Sequence, residues 1–306
     1  MYDLIIVGGG PAGLTAALYA RRANKNVLVI EKDGFGGQIA FSPKVENIPG
    51  FKTIQGVEFA DLLTDQVIEQ GADMENLEVL SVEECGEGYK VVTDDGDFEG
   101  LSVIIATGAK HRLLGLPGET DLIGNGISFC AVCDGAFFKD KTVAVIGGGN
   151  SALQEALLLS DLVSKLIVVQ NLPVLTGEKK LQYQLYAKEN VEVICSNVVK
   201  GYLTDEAGEL NGIEIINEET KETQALTVDG VFLAVGLVPQ NENFTGIIKL
   251  DERGYADVDE SLKGSKKGVF VAGDCRSKRI RQVATAAADG AIAALAACDY
   301  VDSLRG

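Results

Sequence analysis

Two glycine-rich turns constrain the fold of this chain more than any other feature of its sequence. Each turn follows a short apolar strand, leads into an apolar-periodic helix and has the spacing of a dinucleotide-binding turn. The two turns are Gly8-x-Gly10-x-x-Gly13 and Gly147-x-Gly149-x-x-Ala152. In such a turn the first glycine bends the chain, the second lets backbone approach a pyrophosphate, and the third position lets the helix pack on the strand. The sequence therefore predicts two α/β folds of the nucleotide-binding type, although turns that only serve strand–helix packing would have the same pattern.

The order of the segments predicts that the second fold is inserted into the first. Crossings that carry glycine and proline flank the second copy at residues 114–118 and 236–239. A strand over residues 254–258 and an alanine-rich helix over residues 282–297 then return to the first fold. We expect a three-layer α/β architecture with two Rossmann-like domains. Their predicted limits are residues 1–114 with 242–306 for the first domain and residues 115–241 for the inserted domain.

Charge and hydropathy exclude several classes of protein. The 306 residues include 27 Lys and Arg against 45 Asp and Glu, a net charge of −18. A chain this acidic repels nucleic acid and anionic membrane surfaces. It has no run of 18 apolar residues, as a membrane span would need, and it enters a strand at Leu4 with no basic leader before it. We therefore expect a cytoplasmic protein that binds neither nucleic acid nor membrane.

Two of the six cysteines, Cys130 and Cys133, are close enough in sequence for a local disulfide. Such a bridge opens and reforms easily, which favours redox chemistry over a structural crosslink. A zinc site would need a second pair of ligands, and His111 is the only histidine, so no metal site is predicted. An inert reduced pair stays open as an alternative. Asp134 directly follows and could pass a proton to a leaving thiolate, or it could be a polar turn residue.

Several landmarks together resemble one family over roughly residues 1 to 300. They are the two glycine turns and the segments Gly36-Gly37-Gln38, Val45 to Gly50, Ala106-Thr107-Gly108, Cys130 to Gly135, Gly273-Asp274 and Arg281-Gln282. The set is similar to the low-molecular-weight thioredoxin reductases, two-domain FAD flavoenzymes with redox cysteines in the second nucleotide fold. The resemblance implies a homodimer that passes electrons through FAD and the dithiol to thioredoxin or a thioredoxin-like protein. A flavin and thiol redox sensor without turnover is the alternative from another class.

The resemblance also implies roles for single residues. Cys133 would take electrons from the flavin, Cys130 would exchange with the partner disulfide, and Asp134 would serve as the acid. Glu31 would bind the adenosine ribose and Asp274 the ribityl chain. The residues expected to bind FAD are Gly8, Gly10, Gly13, Glu31, Gly37, Gln38, Asn47, Ala106, Thr107, Gly108, Asp274, Gln282 and Val283.

The second turn departs from the family pattern in the residues that read the nucleotide. Members that bind NADPH use a His-Arg-Arg-x-x-x-Arg cluster, whose positions here run from Gln170 to Thr176 and carry no charge. The 2′-phosphate would lose charge-assisted hydrogen bonds of roughly 1.5–3 kcal/mol each. An NADH site would instead need Asp or Glu at position 170. NAD(P)H binding is therefore doubtful, and the resemblance points to the branch that takes electrons from reduced ferredoxin. NADPH or NADH held by other contacts, or another flavoprotein as donor, remain alternatives.

A basic segment near the C-terminus bears on the donor. Seven basic residues lie between residues 263 and 281, where Asp274 is the only acid. They are Lys263, Lys266, Lys267, Arg276, Lys278, Arg279 and Arg281. A basic surface could steer an acidic ferredoxin despite the net charge of the chain, or the segment could be a solvated loop.

Overall fold

The computed structural model describes residues 1–42 and 45–306. The chain forms two compact units, one of residues 1–110 with 238–306 and the other of residues 111–237. Both boundaries lie four residues closer to the N-terminus than the predicted limits. The chain crosses at two short strands that pair with each other, β7 (Ala109–His111) and β16 (Leu237–Pro239). The second of these lies within the predicted crossing at residues 236–239, whereas the first precedes the predicted crossing at residues 114–118.

A seven-stranded sheet forms the centre of the first unit. Its strands are β1 (Tyr2–Val7), β2 (Val27–Ile30), β3 (Asp73–Glu75), β4 (Val79–Cys85), β5 (Gly88–Thr93), β6 (Gly96–Ile105) and β17 (Val269–Val271). The order is β3-β2-β1-β6-β5-β4, with β17 also beside β6, and β4 and β5 form the antiparallel part. Residues 4–7 of β1 and the whole of β2 are continuous apolar runs, as expected where both faces of a sheet are covered.

Three helices pack on one face of this sheet. They are α1 (Pro11–Arg22), α2 (Gly56–Glu69) and α6 (Val283–Arg305), and α6 is longer than predicted. They share a core with Leu4 and Ile6, whereas Ile5 and Val7 pack into the core on the other face. Among the described residues, α6 alone is long and apolar enough to cross a membrane. This helix lies close against α1: a Cβ on Gly290 would come 2.1 Å from the carbonyl oxygen of Ala12, so only glycine fits there.

The second unit repeats the layered arrangement. Its strands are β8 (Ile127–Ser128), β9 (Thr142–Ile146), β10 (Lys165–Val169), β11 (Val191–Ile194), β12 (Asn197–Thr204), β13 (Leu210–Asn217), β14 (Thr223–Thr227) and β15 (Gly230–Leu233). Its helices are α3 (Ala131–Asp134), α4 (Asn150–Ser160) and α5 (Lys179–Tyr186). A parallel sheet in the order β11-β10-β9-β15-β8 lies between the helices and the antiparallel sheet β12-β13-β14. The predicted fold class, α/β with two Rossmann-like parts, is confirmed.

The predicted strand over residues 254–258 is wrong. Oδ1 of Asp251 accepts the backbone N–H groups of Arg253 and Tyr255, at 2.8 and 3.0 Å, and these bonds turn the chain. Ala256 is left in isolated bridges. A local side-chain hydrogen bond therefore overrides the apolar alternation of this segment.

Candidate active site

The carboxyl ends of the central parallel strands in the first unit gather many of the predicted cofactor residues. Gly8 directly follows β1, Glu31 follows β2, Ala106 follows β6, and Asp274 lies just beyond β17. These four strands are neighbours in the sheet. Because parallel strands end at one edge, a ligand bound there can reach all four positions.

The glycines of the first turn are required by close packing. Gly8 has a φ of +110°, and a Cβ on it would lie 2.3 Å from the carbonyl oxygen of Ala106. A Cβ on Gly13 would lie 1.9 Å from the carbonyl oxygen of Gly8. Gly10 is the N-cap of α1. Because it has no side chain to cap the helix, the first free N–H groups of α1 can face an anion. The turn therefore has the form of a pyrophosphate site.

The carboxylate of Glu31 is fixed above this turn. Its Oε2 accepts the N–H of Gly9 at 2.7 Å, and its Oε1 accepts the N–H groups of Lys32 and Asp33 at 2.8 and 2.9 Å. Oε1 thus accepts two hydrogen bonds, and Oε2, which accepts one, can accept a further one. The structure thus places Glu31 where an acid can accept a ribose hydroxyl.

A buried asparagine, which the sequence analysis missed, supports the segment of residues 106–108. Asn241 is 1% exposed. Its Nδ2 donates to the carbonyl oxygens of Gly254 and Cys275, at 2.9 and 2.8 Å. The hydroxyl of Thr107 donates to its Oδ1 at 3.2 Å. Asn241 follows a proline crossing and belongs to no motif, so only the structure identifies it.

Asp274 offers a direct test of whether the first unit fits FAD. Its Oδ1 is buried and has no hydrogen-bond partner among the described residues. Burial raises the pKa of this carboxyl, whereas Lys278 and Arg281 lower it. An unpartnered buried oxygen of this kind costs free energy unless a ligand donates to it. The ribityl chain of FAD carries hydroxyl donors, so the residues present fit this cofactor.

The remaining predicted flavin contacts come from distant parts of the chain. Gly37 and Gln38 begin a 3₁₀ helix. The side-chain amide of Asn47 donates to Oε1 of Gln282 at 3.0 Å. Val283 packs on the small apolar cluster of residues 45–54. The structure therefore brings Asn47, Gln282 and Val283 close together, so that a single ligand could contact all three.

In the second unit, Cys130 and Cys133 form a disulfide at the start of α3. Cys130 is the N-cap of this short helix, and its Sγ accepts the backbone N–H of Cys133 at 3.2 Å. A hydrogen bond of this kind stabilises negative charge on the sulfur once the bridge is open. Cys130 is thus the better placed of the two to act as a thiolate.

The carboxyl of Asp134 lies next to the dithiol in a hydrogen-bonded chain. Its Oδ2 accepts the hydroxyl of Ser128 at 2.6 Å, and Oγ of Ser128 accepts the N–H of Cys130 at 3.1 Å. Its Oδ1 is buried, with no hydrogen-bond partner among the described residues. Burial raises the pKa of Asp134 and the bond from Ser128 lowers it. A carboxyl with a raised pKa holds its proton more readily and can serve as an acid. The sequence analysis missed Ser128, because a serine at a strand end has no distinguishing pattern.

The described residues offer the two cysteines no second pair of ligands for a metal ion. Within residues 1–42 and 45–306, no group of three or more His, Cys, Asp or Glu side chains could hold one. His111 stacks on Phe129, with ring centroids 4.3 Å apart. Burial lowers the pKa of His111 to about 4, so it is neutral near pH 7.

The second glycine turn repeats the backbone geometry of the first with a different residue above it. Gly147 has a φ of +131°, and a Cβ on it would lie 2.5 Å from the carbonyl oxygen of Ala234. Gln170 directly follows the next strand, β10, and is 4% exposed. A Cβ on Gly148 would lie 2.6 Å from its amide carbon. Its Nε2 donates to the carbonyl oxygen of Val174 at 3.4 Å. A neutral amide therefore fills the place of a ribose-binding acid.

The loop after Gln170 presents an uncharged surface. Leu172 is 44% exposed and Val174 is 62% exposed. The hydroxyl of Thr176 donates to the carbonyl oxygen of Gly148 at 3.3 Å. The next cation, Lys179, begins α5. A phosphate bound beside this loop would face apolar side chains.

Glu155 in α4 is a further carboxyl that the sequence analysis missed. Its Oε2 is buried and has no hydrogen-bond partner among the described residues. Burial raises the pKa of Glu155 to about 8. On a helix that begins a nucleotide-binding fold, a glutamate at this position looks in sequence like an ordinary surface residue, so no pattern signals its burial.

The prediction of a basic surface at residues 263–281 is largely wrong. The side chains of Arg276 and Lys278 are only 7% exposed and bind Asp289, at 2.9 and 2.8 Å. Lys266 is held in an ion pair, and the guanidinium of Arg281 stacks on an aromatic ring. Nearby acids and an aromatic ring therefore neutralise or cover most of the segment. The basic residues that remain exposed outside these contacts are Lys263, Lys267 and Arg279.

Comparison with known proteins agrees with this site. The family described as pyridine nucleotide-disulphide oxidoreductase matches residues 2–290. The chain belongs to this family. It is 38% identical over 306 residues to a thioredoxin reductase of Bacillus subtilis (strain 168), covering 100% of this chain and 96% of that protein. It is 39% identical over 300 residues to a 34.2 kDa protein in the rubredoxin operon of Clostridium pasteurianum, covering 98% and 97%.

A solved structure supports the same assignment. The crystal structure of thioredoxin reductase from Streptococcus pyogenes MGAS5005 superposes with a TM-score of 0.92 at 38% identity and covers 99% of both chains. The resemblance to the low-molecular-weight thioredoxin reductases is confirmed. FAD is the cofactor of this pyridine nucleotide-disulphide oxidoreductase fold, in agreement with the fit at Asp274.

Proposed function

We propose that this flavoprotein is a thioredoxin reductase that takes electrons from reduced ferredoxin. The observation that carries the proposal is the disulfide of Cys130 and Cys133 beside the buried carboxyl of Asp134. It lies in a unit whose nucleotide turn faces the neutral amide of Gln170. The protein would reduce thioredoxin or a thioredoxin-like protein, as a cytoplasmic homodimer.

The first unit would hold the cofactor with its own backbone and carboxylates. The turn of Gly8, Gly10 and Gly13 would face the pyrophosphate, Glu31 would accept the ribose hydroxyl, and Asp274 would accept a ribityl hydroxyl. FAD, when bound there, supplies a carrier that accepts electrons one at a time and delivers them as a pair.

The dithiol would perform the exchange with the protein substrate. Opening the bridge between Cys130 and Cys133 takes two electrons and two protons. Cys130 then loses its proton and attacks the disulfide of the partner as a thiolate. Asp134 donates a proton to the partner sulfur that leaves and recovers the proton that Cys130 released. Cys133 attacks Cys130 in the mixed disulfide, which releases the second partner sulfur and restores the bridge.

The choice of donor follows from the loop between Gln170 and Thr176. Its uncharged side chains offer no charge-assisted hydrogen bond to a 2′-phosphate, and Gln170 offers no carboxylate to a ribose. Ferredoxin carries one electron, so two reduced molecules would be consumed for each disulfide.

The second candidate is an NADPH-dependent thioredoxin reductase with an atypical nucleotide site. The backbone geometry at Gly147 favours it, because the turn could still accommodate a pyrophosphate. A redox sensor without turnover is the candidate from another class, and steady disulfide reduction with a supplied donor would exclude it.

Anaerobic rapid mixing separates these candidates. The oxidised protein is mixed with micromolar NADPH, NADH or reduced ferredoxin, and the flavin absorbance and the free thiols are followed. We expect ferredoxin alone to bleach the flavin and then open the disulfide, with reductant lacking ferredoxin as the control. Rapid bleaching by micromolar NADPH would instead establish the second candidate. A purified protein that is colourless and cannot be reconstituted with FAD would contradict both.

A further inference from the structure

A buried ion cluster lies beneath the turn of Gly273 and Asp274 in the first unit. Asp289 on α6 accepts three hydrogen bonds at Oδ2, from the N–H of Gly273 at 3.1 Å, Nε of Arg276 at 2.9 Å and Nζ of Lys278 at 2.8 Å. Its Oδ1 accepts Nη2 of Arg276 at 3.1 Å. The side chains of all three charged residues are only 7% exposed. The cluster is therefore shielded from solvent.

This cluster holds one cation more than its own carboxylate balances. Arg276 and Asp289 already form a two-point ion pair, so the ammonium of Lys278 is a second buried positive charge. The carboxylate of Glu260 lies 3.7 Å from Arg276, but it is 91% exposed and is screened by water. Two buried cations that share one carboxylate leave one positive charge unbalanced, which is costly, so a second carboxylate would stabilise Lys278.

That carboxylate is Asp274. Its Oδ1 lies 3.9 Å from Nζ of Lys278, within the range of charge attraction but too far for a hydrogen bond. The same oxygen is buried, with no hydrogen-bond partner among the described residues. Lys278 is also the first of the cations that lower the pKa of Asp274 against its burial; Arg281 and Arg276 act in the same direction and Asp289 opposes them. The ammonium thus stabilises the charge of Asp274 and leaves the lone pairs of Oδ1 open to a ligand.

We propose that Lys278 is a positioning residue for the cofactor: Asp289 holds its ammonium, and the ammonium keeps the carboxylate of Asp274 ionised and directed at a ribityl hydroxyl of FAD. The inference rests on the proposed role of Asp274 in binding the flavin. It differs from a structural ion pair, because a lysine that only stabilised α6 would act in the same way whether or not Asp274 carried a charge.

A double-mutant cycle measures this coupling on the apoprotein. FAD is removed, the protein is titrated with FAD, and the quenching of flavin fluorescence gives the dissociation constant. We expect Asp274→Asn to weaken binding about tenfold and Lys278→Met about fivefold, the factors expected for one charge-assisted hydrogen bond and for its support. Lys278→Met should have no further effect when it is combined with Asp274→Asn. Lys278→Arg, which keeps the charge, should bind nearly as well as the wild type.

The controls separate the inference from the function on which it rests. Lys266→Met removes another ion-paired lysine, 2.9 Å from Glu84, and should leave FAD binding unchanged. Thermal unfolding of each apoprotein reports whether it is folded, and Lys278→Gln, which removes the charge but keeps a polar side chain beside Asp289, replaces Lys278→Met if that variant does not fold. Equal losses for Lys278→Met in the wild type and in the Asp274→Asn variant would show a structural role and overturn the inference. No effect of Lys278→Met beside a clear effect of Asp274→Asn would also overturn it and leave the function standing. No effect of Asp274→Asn would remove the proposed flavin contact itself.

Discussion

The two glycine turns of this chain have the same backbone geometry and different side chains above it. Gly8 and Gly147 both have positive φ. At both positions a Cβ would clash with the carbonyl oxygen of a residue that follows a neighbouring strand. The residue that directly follows the next strand also lies over Gly9 in the first turn and over Gly148 in the second. In the first turn it is Glu31, which accepts an N–H of the turn at 2.7 Å. In the second it is Gln170, which donates to its own loop. Packing alone requires the glycines, so the selectivity of each turn depends on the side chains around it.

The largest effect is expected from the cysteines, which separate the redox role of the second unit from the cofactor role of the first. Cys133→Ser and Cys130→Ser should each lower disulfide reduction by about 10³-fold or more, because no exchange can proceed through a single sulfur. FAD content, measured by absorbance, should be unchanged. Cys195→Ser is the matched control and should keep wild-type turnover. Wild-type activity in either dithiol variant would contradict the proposed mechanism.

Introducing arginines tests whether the second turn lacks only the side chains that bind the 2′-phosphate of NADPH. Replacing Asn171, Leu172 and Thr176 with Arg restores cations at the cluster positions. If the backbone is competent, each new charge-assisted contact contributes roughly 1.5–3 kcal/mol, and reduction of the flavin by NADPH should accelerate by about 10²-fold or more. NADH lacks the 2′-phosphate and should gain little, which makes it the control. An unchanged rate with NADPH would mean that the second turn differs from a nucleotide site in more than its charges.

The matched pair Glu31→Ala and Gln170→Ala compares the two turns directly. Glu31→Ala should weaken FAD binding by about 1–3 kcal/mol, because a ribose hydroxyl loses its charged acceptor. Gln170→Ala should leave FAD binding unchanged. Titration of each apoprotein with FAD, with thermal unfolding as a check on folding, measures both. Equal effects of the two changes would remove the proposed asymmetry.

The backbone of both turns could be predicted from sequence, because glycine spacing and apolar runs are local properties of the chain. The dithiol and the loss of charge at Gln170 to Thr176 were visible for the same reason. The charge of the basic segment could not be predicted, because Asp289, whose carboxylate binds Arg276 and Lys278, lies outside the segment on α6 and the sequence does not show where its side chain faces. The roles of Asn241 and Ser128 could not be predicted from sequence, because they depend on hydrogen bonds that form only in the folded chain.

Glu155 gives the two folds a difference in pH dependence. It occupies the same place in α4 as the buried Ala16 in α1, counted from the first glycine of each turn. Burial raises the pKa of Glu155 from 4.5 to about 8. The folded protein therefore keeps a proton that the unfolded chain releases, and stability is lost as the pH rises through this window. Glu155→Gln cannot ionise and should be more stable than the wild type by about 1–2 kcal/mol at pH 8.5, with a smaller difference at pH 4.5. Urea unfolding at both pH values measures this, and the exposed Glu209→Gln serves as the control. Parallel stability profiles would show that Glu155 is solvated.

The smallest effect is expected from the basic residues that would guide ferredoxin. Contacts with nearby acids and an aromatic ring take up most of the predicted basic surface of the first unit, and Lys263, Lys267 and Arg279 are the exposed basic residues outside these contacts. Three charges can raise the association rate only modestly against a net charge of −18. Raising the salt concentration from 0.1 to 1 M shortens the Debye length from about 10 to 3 Å, so reduction by ferredoxin should slow by about twofold to fivefold.

Arg279→Glu should slow the second-order rate of reduction by ferredoxin by a similar factor. It should leave the disulfide exchange rate unchanged, because the charge acts only on the encounter of the two proteins. A salt-independent rate would leave ferredoxin as the donor and place its docking surface elsewhere, whereas a loss of tenfold or more on charge reversal would show that the remaining cations lie at the centre of the docking site.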